Sequence, residues 1–350
     1  MYFKRNKTDM TKPNKNLHGG RKNISGLVSV VIPTYNQKDF VHETIDSVLM
    51  QDYGHIEIII TDDGSKDGTT KIINEYAAKY PDKIVPVLSE RNTGIAANLN
   101  RGLAKVRGEY IAWLGGDDLM FSGKVRKQVD LLDTRSDAVG CCHDAEVFNS
   151  SDGKIFGLFS MLMNKKPGFR EGGVELWFET SYFMLPSTVM IRSEAVPVHG
   201  FDERLKYLND WLFDVEVFRQ GKCIPLNEVL GRYRRHDNNV TGSVDAKKIG
   251  NEEGIIALSI LDSRYPELYR LTRKARITNL LVAVTQAFNS GDLKKSKDYL
   301  KIAIRQGAFI RGPILFVGLR LLGPFIIRQM AMKPYEKSPL FLKLSKLIKG

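Results

Sequence analysis

The sequence predicts an α/β domain with a mostly parallel sheet flanked by helices, followed by a helical extension at its C-terminal end. Apolar, β-branched runs alternate with segments of helical spacing four times within about 100 residues. The first run, residues 27–33, is almost continuously apolar, which is typical of strands that are covered on both faces. A long stretch near the C-terminus, residues 245–310, has helical character throughout.

The predicted elements follow in a regular order along the chain. Strands are expected at residues 27–33, 56–60, 84–88 and 110–114, with helices between them at 40–50, 70–80 and 95–104. From Val139 the rhythm changes, and the pattern predicts a strand at 139–148, an irregular insert at 152–170, a strand at 187–191, a turn region at 196–202, a helix at 210–218 and short strands at 224–226 and 229–233. Two helices at 276–288 and 293–304 are expected to pair across a turn at Ser290-Gly291-Asp292.

The net charge of +12 is concentrated in two tails, residues 1–22 and 311–350. Residues 1–23 are polar and basic, so we expect them to be disordered. Basic tails are typical of proteins that contact an anionic surface, either a membrane or a nucleic acid. Residues 311–332 are apolar, but Pro324 and Arg320 disfavour a membrane-spanning helix. A helix lying in the membrane interface is expected there, with a helix docked on the protein's own core as the alternative.

The three cysteines, Cys141, Cys142 and Cys223, have neither the spacing of a disulfide framework nor that of a metal site. They favour a reducing, cytoplasmic setting. No apolar segment of a secretory signal precedes residue 24, and no uncharged run has the length of a membrane span.

Two adjacent carboxylates, Asp117 and Asp118, follow the predicted strand 110–114 after a turn at Gly115-Gly116. Ligands of open α/β sheets bind beyond the carboxyl ends of the strands. Because two neighbouring carboxylates repel each other, a positive partner is expected, and a divalent cation carrying a diphosphate suits oxygen ligands. The alternative is that the two residues only cap a helix or fill a turn. The loop after the first strand lacks a G-x-G-x-x-G motif, which disfavours hydride transfer to a nicotinamide.

Four motifs in this order resemble those of the family 2 glycosyltransferases, over about residues 27–240. They are residues 28–36 (VSVVIPTYN), residues 61–69 (TDDGSKDGT), Asn92-Thr93-Gly94 with Asn98, and Gly108-Glu109-Tyr110 leading to Asp117-Asp118. The resemblance implies the GT-A fold. It also implies a catalytic domain over 24–244, with a nucleotide-binding half at 24–120 and an acceptor half at 121–244. A helical hairpin region at 245–310 and a membrane-associating tail at 311–350 would follow.

The resemblance assigns nucleotide-binding roles to six residues. Asp63 would bond the base, Pro33, Thr34 and Tyr35 would line the same pocket with Asn98, and Asp117 would reach the ribose. Three further residues would serve the diphosphate: Asp118 would hold Mn²⁺ or Mg²⁺, His236 would complete the metal shell, and Arg235 would contact the phosphates. Asp210 matches the general base, although an Asp at a helix start is also a common N-cap. Gly115 and Gly116 depart from the usual Asp-x-Asp-Asp metal motif and leave one fewer anionic group.

The implied function is inverting transfer of one sugar from a nucleotide sugar, a UDP-sugar first among them, to a saccharide or lipid-linked acceptor. The expected location is the inner face of a bacterial membrane, reached through the C-terminal tail, with no nucleic acid as partner. The alternatives are a sugar nucleotidyltransferase, which would need a Gly-rich basic first loop, and a non-catalytic nucleotide-sugar-binding module.

Overall fold

The computed structural model describes residues 23–179, 184–237, 239 and 244–308. The chain divides into two compact units, one ending at Gly242 and the other beginning at Ser243. The basic N-terminal tail and the apolar segment at 311–332 lie outside the described residues. Within the described residues, no helix is both long enough and apolar enough to cross a membrane.

The first unit alternates strands and helices through its N-terminal half. Its elements are β1 (Ile24–Thr34), α1 (Val41–Leu49), β2 (Ile56–Asp62), α2 (Thr69–Lys79), β3 (Ile84–Leu88), α3 (Ile95–Leu103), β4 (Gly108–Trp113), β5 (Leu119–Met120), α4 (Lys124–Thr134), β6 (Ala138–Asn149), β7 (Ile155–Leu158), α5 (Phe159–Asn164), β8 (Met190–Arg192), α6 (Asn209–Phe218) and β9 (Lys222–Arg235). The predicted strands and helices up to residue 114 all appear, with ends that differ by a few residues.

The described strands form one nine-stranded sheet in the order β3-β2-β1-β4-β8-β6-β9-β5, with β7 paired to β6 at the side. Pairing is parallel between β1 and its neighbours β2 and β4, between β2 and β3, and between β6 and β9. The remaining pairs, which involve β5, β7 and β8, are antiparallel. The predicted parallel, doubly wound arrangement therefore holds for β1–β4, whereas the second half of the sheet is mixed.

The core lies on both faces of β1 and its neighbours. Val30 and Ile58 on one face of the sheet, and Val31 and Ile59 on the other, are fully or almost fully buried, in agreement with the nearly continuous apolar runs that predicted these strands. The same cluster continues into the second half of the sheet through Cys141 and other side chains of β6, β8 and β9. One core therefore stabilises both halves of this unit.

Four local predictions differ from the structure. The insert at 152–170 contains β7 and α5. In the predicted strand 187–191, the first residues form a 3₁₀ turn (Pro186–Thr188), in which the Thr188 hydroxyl donates to the Leu185 carbonyl at 2.7 Å. The two short strands at 224–226 and 229–233 are one strand, β9, whose register with β6 shifts on the way. Helix α4 was missed because its buried face carries Lys124 and Gln128, which interrupt the apolar stripe.

The second unit is helical. It consists of α7 (Val244–Arg264), a 3₁₀ turn (Pro266–Leu268), α8 (Tyr269–Asn289) and α9 (Leu293–Arg305). Leu280, Val284 and Leu300 form a small core between α8 and α9. The Asp292 carboxylate caps α9 by accepting the Lys295 N–H at 2.9 Å. The predicted hairpin across Ser290-Gly291-Asp292 is therefore confirmed.

Candidate active site

The carboxyl ends of β1, β2 and β4 meet at one edge of the sheet, because β1 pairs with both of the other strands. The Thr34 hydroxyl at the end of β1 donates to Asp62 Oδ1 at 3.0 Å, and the Asp63 N–H donates to the Thr34 carbonyl at 3.1 Å. The Gly116 N–H donates to the Pro33 carbonyl at 3.2 Å. The motifs that lie far apart in the sequence thus converge on this edge.

Asp63 is buried and is surrounded by hydrogen-bond donors. Its Oδ1 accepts from Arg101 Nη2 at 2.7 Å, and its Oδ2 accepts from the Gly94 N–H at 2.8 Å. Thr93 also donates to it, through both its N–H and its hydroxyl. Burial alone would raise the pKa of Asp63, but the bonds from Arg101, Thr93 and Gly94 outweigh it and hold this pKa below its usual value. The carboxylate is therefore charged and fixed in place.

The other predicted pocket residues lie around Asp63. Asn98 on α3 is buried, and its amide nitrogen donates to the carbonyls of Thr34 and Thr61 at 3.3 and 3.2 Å. Its amide oxygen accepts from Arg101 Nη2 at 2.9 Å. Tyr35, directly after β1, is 47% exposed, so its ring is available to a ligand. The structure brings these residues to one place, and it adds Arg101, which lies three residues after Asn98 on the same helix face.

The turn at Gly115-Gly116 is too crowded for side chains. A Cβ on Gly116 would lie 2.2 Å from Gln37 Oε1, 2.7 Å from Thr34 Cγ2 and 3.0 Å from the Pro33 carbonyl oxygen. A Cβ on Gly115 would lie 2.9 Å from Asp117 Oδ1. The two glycines, which depart from the usual acidic motif, therefore allow β4 to turn tightly against β1.

Asp118 is 2% exposed, and both of its carboxylate oxygens are hydrogen-bonded. Oδ2 accepts from the Ser187 hydroxyl at 2.5 Å, and Oδ1 accepts from the Arg234 N–H at 3.0 Å. Burial and the neighbouring Asp117 carboxylate raise the pKa of Asp118 well above its usual value. A positive charge that arrived beside this pair would therefore favour its ionised form.

Arg234 on β9 joins this pair to the first half of the unit. Its Nε donates to the Asp117 carbonyl at 2.8 Å, and its Nη2 bonds Glu43 on α1. The guanidinium carbon lies 5.0 Å from the centre of the Phe40 ring and 4.8 Å from that of Phe148. Arg234 is thus held by an ion pair and by two aromatic rings, and it positions the Asp117-Asp118 turn.

His236 lies beside Asp117 in the acidic turn. Its Nε2 is 2.8 Å from Asp117 Oδ2, and its ring lies 4.7 Å from that of Phe40. Arg235 points along β9, where its Nη1 donates to the Tyr233 hydroxyl at 3.3 Å. The structure therefore brings His236 to the acidic turn.

Asp210 lies in the first turn of α6, and its Oδ1 accepts from the N–H of Trp211 at 2.7 Å. The helix is fixed by Phe213, whose ring packs edge-on against Trp113 at the end of β4, with centroids 5.7 Å apart. Asp214, one turn further along α6, has its pKa raised by burial and by the charge of Asp210. Since Trp113 is the last residue of β4, the strand that leads to Asp117 and Asp118, α6 lies next to the same edge of the sheet.

The acidic turn fits a cation that brings further ligands with it. Within the residues that the structure describes, no group of three His, Cys, Asp or Glu side chains is arranged to hold a metal ion. The protein offers the Asp117-Asp118 carboxylates, and hard cations are commonly bound by one or two carboxylates together with substrate phosphates. The Asp118 carboxylate accepts from the neutral Ser187 hydroxyl and the Arg234 backbone N–H, and burial and the Asp117 carboxylate raise its pKa, so a cation beside this pair would be stabilising.

The sequence model of the family described as glycosyl transferase family 2 matches residues 29–196. This range includes Thr34, Asp63, Asn98, Asp117 and Asp118. An uncharacterized glycosyltransferase of Rickettsia typhi is 33% identical over 223 residues, covering 63% of this chain and 67% of the relative. The chain is a family 2 glycosyltransferase.

Solved structures show the fold to which this chain is similar. The transferase aligns with residues 1–349 of Staphylococcus aureus TarS in complex with UDP-GlcNAc with a TM-score of 0.52 and 16% identity, covering 80% of this chain and 92% of that fragment. It also aligns with the mannosyltransferase PcManGT of Pyrobaculum calidifontis, in complex with GDP-Man and Mn²⁺, with a TM-score of 0.52 and 17% identity over 87% of this chain and 82% of that one. The expected GT-A fold is confirmed.

Three contributors to the site were not singled out from the sequence: Ser187, Arg101 and the backbone of Arg234. Arg101 could have been found from its spacing to Asn98. Ser187 gave no signal, because a serine in a predicted strand is unremarkable in sequence and its contact with Asp118 is long-range.

Proposed function

We propose that this glycosyltransferase moves one sugar, with inversion, from a nucleotide diphosphate sugar to a hydroxyl of a saccharide or lipid-linked saccharide. The observation that carries the proposal is the Asp117-Asp118 turn at the end of β4. The Asp118 carboxylate accepts from the Arg234 N–H and the Ser187 hydroxyl, and Arg234 Nε donates to the Asp117 backbone carbonyl. Such a turn suits a diphosphate that comes with a divalent cation. Asp63 and Tyr35, which directly follow β2 and β1, and Asn98 on α3 would receive the nucleoside.

The donor is proposed to be a UDP-sugar. TarS binds UDP-GlcNAc and PcManGT binds GDP-Man with Mn²⁺, and both have the fold of this transferase. In this chain Asp63 is already bonded by Arg101, Thr93 and Gly94, so it offers a base a fixed, charged acceptor. Arg235 would move from Tyr233 to contact the phosphates, as a guanidinium can bond phosphate oxygens with two N–H groups.

The proposed metal is Mn²⁺ or Mg²⁺, with Asp118 as its protein ligand and His236 close by. When bound, such an ion stabilises the charge that develops on the departing diphosphate. Asp118 is pre-positioned for this role by Ser187 and by the Arg234 N–H. His236 would need to exchange its contact with Asp117 to reach the ion.

Asp210 is proposed as the general base. The acceptor hydroxyl would give its proton to the Asp210 carboxylate while its oxygen bonds the anomeric carbon. The bond from that carbon to the diphosphate breaks at the same time, and the nucleoside diphosphate leaves with the electron pair. Attack opposite to the leaving group inverts the anomeric configuration. Asp210 suits this role because α6 is held against the end of β4 by Phe213 and Trp113.

The proposed location is the inner face of a bacterial membrane. The basic, apolar tail at 311–350 would contact the lipid, and no nucleic acid partner is proposed. Envelope polysaccharide synthesis is the proposed setting, because acceptors of this kind are often carried on lipids.

The test is release of nucleoside diphosphate from a panel of UDP-, GDP- and dTDP-sugars, with Mn²⁺ and with EDTA. We expect slow release of nucleoside diphosphate from one donor class, the UDP-sugars. We expect this release to be lost with EDTA. Proton NMR of the first sugar released should show the inverted anomer. Tight, metal-independent binding of a nucleotide sugar without release would contradict the proposal and favour a binding module. Formation of a nucleotide sugar from a nucleoside triphosphate would favour a nucleotidyltransferase.

A further inference from the structure

An exposed apolar patch lies on β7 and α5, in the insert that follows β6. It consists of Ile155, Phe156, Met161, Leu162 and Met163, each 45–50% exposed. These are five of the fifteen large apolar side chains that the described part of the chain leaves exposed, and they fall within nine residues. The others are scattered, mostly singly. Concentrated exposed apolar surface marks an interaction site more often than scattered residues do.

The patch is held together as one surface. A Cβ on Gly157 would lie 3.8 Å from Leu162 Cδ2, so α5 folds back over β7. The buried residues Phe159 and Ser160 anchor the insert: the Phe159 ring packs edge-on against Tyr233 at 6.0 Å, and the Ser160 hydroxyl bonds the Asp144 carboxylate. The polar anchor fixes the base of α5 while its outer turn stays exposed.

The charge around the patch is positive. Lys154, Lys165 and Lys166 are exposed at its edges, and residues 153–170 contain no Asp or Glu. None of the three lysines forms an ion pair with a carboxylate of the described residues, whereas the nearby Arg170 is paired with Glu179. An apolar surface with a rim of unpaired lysines matches the interface of an anionic bilayer, where apolar side chains enter the headgroup region and lysines meet the phosphates.

We propose that this patch, which we call the β7–α5 patch, docks on an anionic phospholipid bilayer. A second copy of this chain fits less well, because a symmetric contact would place the lysines of both copies together with no acidic residue of the segment to pair them. The patch also lies near the active site: Phe159 packs on Tyr233, which directly precedes Arg234. If the proposed transfer to a lipid-linked acceptor holds, docking would bring the acidic turn close to that acceptor. The docking itself does not depend on that transfer.

The test uses the full chain and sedimentation with vesicles, comparing phosphatidylcholine alone with phosphatidylcholine containing phosphatidylglycerol. Changing Lys154, Lys165 and Lys166 together to Ser should weaken binding to the anionic vesicles about 100-fold, since each lysine near such a surface contributes about fivefold. The variant Phe156→Ser with Met161→Ser should also weaken binding, by at least tenfold. Matched controls are Met50→Ser and Val198→Ser, whose side chains are 70% and 60% exposed elsewhere on the same unit.

A local probe separates this patch from any contribution of the C-terminal tail. The three native cysteines are buried, so Phe156→Cys and Val198→Cys can be labelled with an environment-sensitive dye. The fluorescence emission of the label at 156 should shift to shorter wavelength with anionic vesicles but not with neutral ones. The emission of the label at 198 should not change. The proposal is wrong if the labels at 156 and 198 respond equally, or if the label at 156 does not respond. It is also wrong if the emission of the label at 156 shifts with protein concentration in the absence of vesicles. The last outcome would point to a second copy.

Nucleoside diphosphate release by the lysine variant, measured without vesicles, distinguishes the two proposals. Unchanged release with lost vesicle binding is the expected result. If the wild type binds vesicles but releases no nucleoside diphosphate from any donor, the proposed transferase mechanism is wrong and the proposed docking stands. If the wild type releases nucleoside diphosphate but the label at position 156 does not respond to anionic vesicles, the proposed docking is wrong and the transferase mechanism stands.

Discussion

Replacing Lys124 with Met should stabilise this transferase, most strongly near neutral pH. Lys124 is the first residue of α4 and is 0% exposed, and its Nζ has no hydrogen-bond partner among the described residues. Burial lowers the pKa of Lys124 from 10.5 to about 7, although the thiol of Cys141 and the carboxylate of Asp118 favour its charge. Burial and the charge of Lys124 also lower the pKa of His143, whose Nε2 has no hydrogen-bond partner within the described part of the chain.

The size of the expected stabilisation follows from the pKa shift of Lys124. The unfolded chain binds the proton more tightly than the folded protein, so the charge of Lys124 opposes folding wherever the unfolded chain is protonated. As pH falls from the ordinary pKa of 10.5 to the folded value near 7, the free-energy cost that Lys124 adds to folding increases. Below pH 7 this cost has reached its full size. It comes to about 4 kcal/mol at pH 7 and about 1 kcal/mol at pH 9.5.

The assay is urea unfolding of wild type and Lys124→Met at pH 7 and pH 9.5. The variant should have the larger free energy of unfolding, with a gap that narrows by about 3 kcal/mol over this range. Lys71→Met is the matched control, because the Lys71 side chain is 83% exposed on α2, and it should change stability by about 0.5 kcal/mol or less at both pH values. A gap that does not change with pH, or a variant less stable than wild type at both, would refute the reasoning.

The remaining predictions concern the active-site edge and the buried thiols. Gly116→Ala should lower the free energy of unfolding by about 1–3 kcal/mol, because its Cβ would press on Gln37 and Thr34, and it should weaken donor binding in titration calorimetry. Arg234→Met should cost about 2 kcal/mol in urea unfolding, since it breaks a buried ion pair whose partner Glu43 is half exposed, and Arg234→Lys should recover only part of this. A thiol reagent at pH 8 should label none of the three cysteines of the folded protein and all three in urea, because they are buried and the pKa values of Cys141 and Cys223 are raised.

The sequence predicted the fold well where burial alone decides it. Residues 27–33 and 56–60 are covered on both faces, so their runs are apolar apart from Ser29 and Glu57, which bond each other, and the parallel strands could be placed closely. In the second half, polar side chains are buried by specific partners. Gln128 interrupts the buried face of α4 and donates through its Nε2 to the Thr188 carbonyl at 2.9 Å. The Ser187 hydroxyl donates to Asp118 from a 3₁₀ turn that takes the place of the start of the expected strand. These contacts join residues far apart in the chain, so no local pattern could show them.

The candidate site could be predicted in part for a similar reason. Thr34, Asp63 and the acidic turn lie at or just after the ends of β1, β2 and β4, and parallel strand ends must meet at one edge. Which side chains bond one another there depends on rotamers and on the path of β9. His236 could be placed near the acidic turn, but its contact with Asp117 could not.

The measurement that tests the proposed mechanism most directly is nucleoside diphosphate release at saturating donor and Mn²⁺, with donor binding measured alongside. Asp210→Asn should lower the rate about 100-fold or more with donor binding unchanged, because it removes the proton acceptor and no donor contact. Asp118→Ala should lower both the rate and the Mn²⁺-dependent part of donor binding. Glu194→Gln, an exposed carboxylate change on the same unit, is the control and should match wild type. Wild-type rates in Asp210→Asn, or Mn²⁺-dependent binding that survives in Asp118→Ala, would contradict the assigned roles.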